Sequence, residues 1–184
     1  RLFIYVDFNG MTRMRVVGLF GMSAVVVGFI LVLYKIARGR KFLWLIRGHL
    51  WTLAIAIFLY ALTPVDLLVT KYNVTRILTG DPAPSVQISV HPISSEGVLQ
   101  LFPLLDCENK HIRDGVRAML ASRHLDAEEL AKERIRYGWT MHQISDEMVL
   151  QQLRGAKAKW AEYESKTERG AELKRFHKYA YRWY

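Results

Sequence analysis

Cysteine is almost absent from this chain: Cys107 is the only one among 184 residues. A single thiol excludes an intrachain disulfide and a thiolate metal cluster. The histidines lack the HxxxH and HExxH spacings of metal sites, and no glycine-rich phosphate loop or GxSxG elbow occurs. Cys107 and His111 lie four residues apart, but no third residue completes a catalytic set. The sequence therefore predicts no catalytic residue, metal ligand or cofactor, and a protein that is not an enzyme.

Charge is absent from two long segments. Residues 16–34 contain no Asp, Glu, Lys, Arg or His, and between Arg47 and Asp66 only His49 can carry a charge. A helix of nineteen residues covers about 28 Å, close to the hydrocarbon thickness of a bilayer. The pattern predicts transmembrane helices over 16–36 and 42–66, joined as an antiparallel hairpin.

Two other interpretations of these apolar segments are less favoured. A helical hairpin buried in a soluble protein would need a core large enough to cover both segments, which a chain of 184 residues hardly provides. A cleaved signal peptide would have a shorter apolar region and no second span.

The positive charge lies mainly beside the apolar segments. The chain carries +9 overall; residues 1–70 hold eight bases and two acids, and the remainder holds 18 bases and 15 acids. This distribution indicates contact with membrane lipid and argues against nucleic acid as a partner.

The positive-inside rule assigns an orientation in the inner (cytoplasmic) membrane. It places the link, residues 35–41, in the cytoplasm and residues 71–184 outside, because bases concentrate in the link. Arg47 lies near the link, and four bases at the opposite ends of the spans (Arg13, Arg15, Lys71 and Arg76) oppose this assignment. The bases that set the topology are Lys35, Arg38, Arg40 and Lys41.

Small residues recur at helical spacing in the first span. In lipid, such residues let two helix backbones approach closely, although glycine is also simply common in membrane helices. We expect this face to pack against the second span, against upstream helices of the same protein, or against another membrane protein subunit. The face consists of Gly18, Gly21, Ala24 and Gly28.

The segments outside the hairpin are predicted from shorter patterns. Residues 1–15 suit an interfacial segment or the tail of an earlier helix, and the absence of an initiator Met leads us to expect the C-terminal part of a longer protein or a processed chain. Residues 67–93 suit a short helix, ended by Gly80, and a linker in which 86–90 alternates like an extended strand.

Residues 94–184 are predicted to form a small α-helical extramembrane domain. We expect Pro103 to distort its first helix, Asp126 to cap a separate third helix, and a fourth helix over about 145–163. Its predicted core is Leu101, Leu104, Ile112, Val116, Met119, Leu120, Leu130, Leu153 and Trp160. The fold class is thus an all-α membrane protein: a transmembrane hairpin followed by a helical extramembrane domain.

The C-terminal tail, from Lys174 onward, is basic and aromatic. Such a tail can lie on a membrane surface, dock into a partner groove, or pack against its own domain. The candidate partner or membrane anchors are Trp139, Phe176, Tyr181 and Trp183.

Three sequence elements resemble a bacterial multi-pass membrane family of unknown function (the 4153/4173 type). Residues 10–15, Gly-Met-Thr-Arg-Met-Arg, precede the first span, where that family has a segment like "YGLTRLR". The second span ends near Pro64-Val-Asp, and residues 72–76, Tyr-Asn-Val-Thr-Arg, match the family's "YNVxR" element. The resemblance covers about residues 1–105 and implies the C-terminal portion of a multi-pass envelope protein, with no reaction assigned.

Two functions remain open from the sequence. The first is a non-catalytic integral membrane component that anchors a helical extracytoplasmic domain and contributes to the assembly or stability of a membrane protein complex. The second is the C-terminal segment of a multi-pass transporter or membrane-embedded enzyme whose active residues lie upstream.

Overall fold

The computed structural model describes residues 2–137 and 143–183, and within them it contains helices and turns but no β-strand. The all-helical prediction is confirmed for this part of the chain. The structure divides into a hairpin unit, residues 12–65, and a helical unit formed by residues 1–11 together with 66–184. The α-helices are α1 (Leu2–Asn9), α2 (Arg13–Arg38), α3 (Phe42–Leu62), α4 (Val65–Leu78), α5 (Ser85–Val90), α6 (Ser95–Val98), α7 (Lys110–Tyr137), α8 (Ile144–Ala156) and α9 (Lys166–Ala180).

The hairpin unit consists of α2 and α3, each long and apolar enough to cross a membrane. The Thr12 side chain caps α2 by accepting a hydrogen bond from the Arg15 N–H. Gly39 ends α2 in the left-handed conformation, a Schellman-type end that suits glycine. The second predicted helix ends at Leu62 rather than at residue 66, because Pro64 follows and has no N–H for a helical hydrogen bond.

The segment after the hairpin begins a new helix, α4, which ends as predicted just before Gly80. The prediction of an extended segment at 86–90 is wrong, since these residues lie in α5. Val86 and Ile88 are buried, and so is the polar Gln87 between them, so the alternation does not mark one buried face. A helix satisfies its backbone hydrogen bonds locally, whereas a lone strand needs a partner.

α6 leads directly into a 3-10 helix over Leu99–Asp106. Pro103 lies in this 3-10 helix, in agreement with the expected distortion of the helix there. The prediction that Asp126 caps a separate helix is wrong, because α7 continues through it to Tyr137. Asp126 is exposed to solvent, and an aspartate in a helix interior costs only about 0.7 kcal/mol relative to alanine. The predicted fourth helix is α8, followed by a 3-10 helix over Lys157–Tyr163.

The core of the helical unit lies around α7, which packs against α8, α9 and the 3-10 helices over Leu99–Asp106 and Lys157–Tyr163. Most of the predicted core residues are buried, while Met119 and Leu130 are half-buried. Val74, Ile77 and Ile88 belong to the same core cluster. Residues 66–93 are therefore part of this folded unit rather than a linker leading to it.

Candidate functional site

The most distinctive polar cluster of the helical unit surrounds the end of α1, and we call Asn73, Arg76, Asp81 and Gln87 the α1 clamp. Asn73 is 1% exposed. Its Oδ1 accepts a hydrogen bond from the Met11 N–H at 2.7 Å, and its Nδ2 donates to the Met11 carbonyl at 2.9 Å. One side chain thus satisfies both backbone groups of a residue 62 positions away.

Arg76 binds the last turn of α1. Its Nη1 donates to the Val6 carbonyl and its Nη2 to the Asp7 carbonyl, both at 2.6 Å. Carbonyls at a helix C-terminus lack intrahelical partners and carry partial negative charge, so a guanidinium there is favourable. Nη2 also pairs with the Asp81 carboxylate, which in turn accepts a hydrogen bond from the Ala83 N–H.

Gln87 completes the clamp by donating from Nε2 to the Asn9 carbonyl at 2.8 Å. Gly10 follows with φ of +81°, and a Cβ added there would lie 2.7 Å from Asn73 Oδ1 and 3.0 Å from Pro84 Cβ. The chain must therefore pass the clamp at a residue without a side chain. The clamp presents hydrogen-bond partners to backbone only, so its chemistry is that of a structural fastening.

The clamp explains two residues of the Tyr-Asn-Val-Thr-Arg element, Asn73 and Arg76. Sequence reasoning noticed the element but missed its partners, Gln87 and Asp81, and the requirement for Gly10. The pattern gave one usable indication: a polar pair, Asn73 and Arg76, three residues apart on a short helix after an apolar span.

Within the hairpin unit, the residues of the predicted small-residue face differ in burial and in their neighbours. Gly28 is buried, and a Cβ there would lie 3.2 Å from Nε2 of His49 on α3. Gly18 and Ala24 are half-buried. Gly21 is exposed, and a Cβ there would meet no atom within 4 Å in the described part of the chain. In this unit the contact with α3 therefore runs through Gly28 and not through Gly21.

The α2–α3 contact is extended by a second close approach and two aromatic pairs. A Cβ on Gly48 would lie 3.1 Å from a methyl group of Leu31. The ring pairs are Phe20 with Tyr60, 5.7 Å apart, and Tyr34 with Trp44, 5.5 Å apart.

His49 is the polar residue at this contact. Its Nδ1 lies 2.9 Å from the Leu45 carbonyl, and because a carbonyl only accepts, this nitrogen carries the proton. The Thr52 hydroxyl donates to the Gly48 carbonyl, one turn earlier in α3. His49 and Thr52 line an open cavity of about 420 Å³ beside Gly28.

The four topology-setting bases lie at the end of α2 and in the link. Lys35 and Arg38 occupy the last turn of α2, where positive charge complements the helix dipole. The Arg38 guanidinium lies 5.8 Å from the centre of the Tyr34 ring. Arg40 and Lys41 follow between the two helices.

The candidate anchors fall into three groups. Phe176 is 1% exposed and belongs to the core cluster, so the prediction of an exposed anchor there is wrong: α9 packs this side chain against Gly115 of α7. Tyr181 and Trp183 are 46% and 42% exposed. Trp139 lies outside the described residues.

Several further polar groups of the helical unit have structural partners. The Asp146 carboxylate accepts a hydrogen bond from the Ser95 hydroxyl and pairs with Arg134. Burial, with help from nearby carboxylates, raises the pKa of Tyr163 to about 12. The ammonium of Lys159 lowers the pKa of Asp106 by hydrogen bonding to it. Within the described ranges, no group of three His, Cys, Asp or Glu residues could hold a metal ion.

Comparison with known proteins gives one family. The family model described as "Domain of unknown function (DUF4153)" matches residues 1–99, a segment that includes the hairpin unit and every residue of the α1 clamp. Neither the curated proteins nor the solved structures gave a match. The chain belongs to this family, the domain of unknown function DUF4153.

Proposed function

We propose that the chain is a non-catalytic integral membrane component. Its α2–α3 hairpin anchors it in the bacterial inner membrane, with residues 35–41 in the cytoplasm. Residues 71–184 form an extracytoplasmic helical domain that contributes to the assembly or stability of a membrane protein complex.

The observation that carries this proposal is the exposure of the hairpin's large apolar side chains. Phe29 and Leu33 of α2 and Phe42 and Trp51 of α3 are each 67% exposed. No residue of α3 is buried, whereas the core helix of a soluble protein would be largely covered. Exposed apolar surface on this scale requires a cover, which the hydrocarbon of a bilayer provides.

The α1 clamp supports the anchoring role. It fixes residues 6–11, which precede α2, to residues of α4 and α5, which follow α3. Both ends of the hairpin sequence therefore leave from one folded unit. Such a fastening resists separation of the two chain segments when load or thermal motion acts on the anchor.

Two measurements on cell membranes test the proposal. We expect the chain to stay in the membrane pellet after alkaline carbonate washing, which removes peripheral proteins. For orientation, a Cys107→Ser background receives a single new cysteine at an exposed position, either Ala171→Cys on α9 or Ala37→Cys in the link. A membrane-impermeant thiol reagent should label Ala171→Cys in intact spheroplasts and Ala37→Cys only after lysis.

Each outcome bears on one part of the proposal. Release by carbonate would contradict the membrane anchor. The reverse labelling pattern would contradict the orientation and leave the anchor standing. Residues 81–85 are a poor labelling site, because Ala83 and Ser85 are buried.

A further inference from the structure

An open groove runs between α5, α7 and α9 of the helical unit, and we call it the basic groove. Its cavity volume is about 880 Å³, within the range of sites that hold drug-sized ligands. Its floor is apolar and is formed by Ile88, Met119, Leu173 and Phe176. Ile88 and Phe176 are almost fully buried, so the half-buried Met119 and Leu173 supply the apolar surface of the floor that a ligand can reach.

The basic groove is lined by bases and by no carboxylate. His91, Arg123, Lys174, His177 and Lys178 all face the cavity, and neither Asp nor Glu is among the described residues that line it. Nη2 of Arg123 donates to the Ile93 carbonyl at 3.1 Å, which holds the guanidinium in place. Lys174 and Lys178 lie one helical turn apart on α9.

An aromatic residue lies at the exposed edge of the groove. Tyr181 lines the cavity and is 46% exposed, and its ring lies 4.5 Å from that of His177 in an edge-to-face arrangement. Tyrosine is enriched where proteins meet lipid headgroups, because one end of its side chain is apolar and the other polar.

We propose that the basic groove binds an anionic phospholipid. The phosphate lies among Arg123, Lys174 and Lys178, and an acyl chain covers the apolar floor. A free phosphate would use the bases and leave the floor uncovered, whereas a neutral apolar ligand would leave Arg123, Lys174 and Lys178 without an anionic partner in the groove. The choice of a lipid rests on the proposed membrane anchoring, since that places the helical unit beside a bilayer.

The test uses the full chain purified in a non-ionic detergent and a fluorescent phosphatidylglycerol as the probe. We expect saturable binding that labelled phosphatidylcholine does not match. Lys174→Gln with Lys178→Gln should raise the Kd by about thirtyfold, because each of the two bases near an anionic lipid contributes on the order of 1 kcal/mol, and about 1.4 kcal/mol corresponds to a tenfold change. The matched control is Lys132→Gln with Lys166→Gln, which removes the same charge from exposed positions outside the groove.

A second pair of variants tests the apolar floor. Met119→Trp should fill the cavity and weaken lipid binding with all bases retained. Met148→Trp places the same side chain at a position that is 50% exposed on α8, and it should leave the affinity unchanged. Far-ultraviolet circular dichroism and melting curves show whether each variant folds. If Met119→Trp does not fold, Leu173→Trp takes its place.

Competition experiments identify the ligand. Unlabelled phosphatidylglycerol should displace the probe, whereas glycerol 3-phosphate and a poly-glutamate peptide should not at the same concentration. Displacement by glycerol 3-phosphate would show a phosphate site without a role for the floor, and displacement by the peptide would indicate an acidic protein partner; either overturns the proposal. Equal loss of affinity in the two lysine pairs would also overturn it. Release of the chain by carbonate is a different outcome, which would contradict the membrane anchor.

Discussion

At the scale of single residues, the side chains that matter most are those that replace backbone partners. Asn73 and Arg76 together hold three backbone residues of the N-terminal segment through four hydrogen bonds. A buried polar group that is left without its partner costs about 1–3 kcal/mol, which is more than the net stabilisation by a typical hydrogen bond. Removing the partner of a buried group such as Asn73 should therefore destabilise the protein by more than that net contribution. The neighbouring Gly10 shows how little room the clamp leaves.

Gly10→Ala should destabilise the protein more than Gly80→Ala. Both glycines have positive φ, +81° and +97°, and the left-handed conformation costs an alanine about 1–2 kcal/mol at either position. Only at Gly10 would the new Cβ also overlap Asn73 and Pro84, while at Gly80 it meets nothing within 4 Å. Melting temperatures of the detergent-purified variants compare the two costs. Equal losses would contradict the close approach at the clamp.

At the scale of elements, helix contacts in both units depend on a residue without a side chain. In the hairpin unit Gly28 faces His49, and in the helical unit Gly115 lies against the Phe176 ring. The two contacts differ in their surroundings: Gly115 is buried in a core, whereas the hairpin helices expose most of their apolar side chains. A larger residue at Gly115 would overlap the Phe176 ring within the packed core, and a larger residue at Gly28 would press on the His49 ring.

Gly28→Leu should weaken the α2–α3 contact, and Gly21→Leu should leave it intact. The leucine at residue 28 would meet the His49 ring, whereas the one at residue 21 has no neighbour within 4 Å in the described chain. In a Cys107→Ser background, cysteines introduced at Phe20 and Tyr60, whose rings are 5.7 Å apart, can be joined by a short bismaleimide crosslinker, and the rate of this crosslinking reports on the hairpin. Slower crosslinking in Gly28→Leu alone is the expected result.

The same pair of variants separates two roles of the small-residue face. If Gly21→Leu reduces assembly with other membrane proteins while hairpin crosslinking is unchanged, the face around Gly21 binds a second protein. If Gly21→Leu reduces the crosslinking as much as Gly28→Leu does, the assignment of the in-chain contact to Gly28 is wrong.

At the scale of the whole molecule, the folded units do not follow the order of the chain. The helical unit takes residues from both sides of the hairpin, since residues 1–11 and 66–184 form one compact body. Val74 and Ile77 of α4, each 4% exposed, extend its core cluster. A fragment that begins after α4 therefore lacks part of its own core.

A fragment of residues 66–184 should be more stable than one of residues 81–184. Removing a large buried aliphatic side chain costs about 2–5 kcal/mol, and the shorter fragment loses two of them, Val74 and Ile77, together with the rest of α4. Thermal unfolding followed by circular dichroism gives the comparison at equal concentration. A cooperative transition at the same temperature in both fragments would show that α4 adds nothing to the core.

The sequence by itself determined the helical class, the two long apolar helices, the start of the second at Phe42 and the end of α4 before Gly80. Hydrophobic run length, Pro64 and Gly80 act locally, so their consequences can be derived from neighbouring residues alone. The larger part of the core of residues 94–184 followed from helical spacing for the same reason. The resemblance around residues 72–76 led to the family that the comparison then identified.

Only the tertiary structure decided what depends on distant residues. Asn73 binds a backbone 62 positions away, and no local pattern encodes that distance. Residues 86–90 alternate between apolar and polar as a strand does, but they lie in the helix α5, in which residues 85–88 are all buried. Phe176 has basic neighbours in the sequence, as a surface anchor would have. In the structure its side chain packs against Gly115 and is buried in the core. Local sequence sets the preferences of each segment, and long-range packing decides which residues of that segment meet solvent.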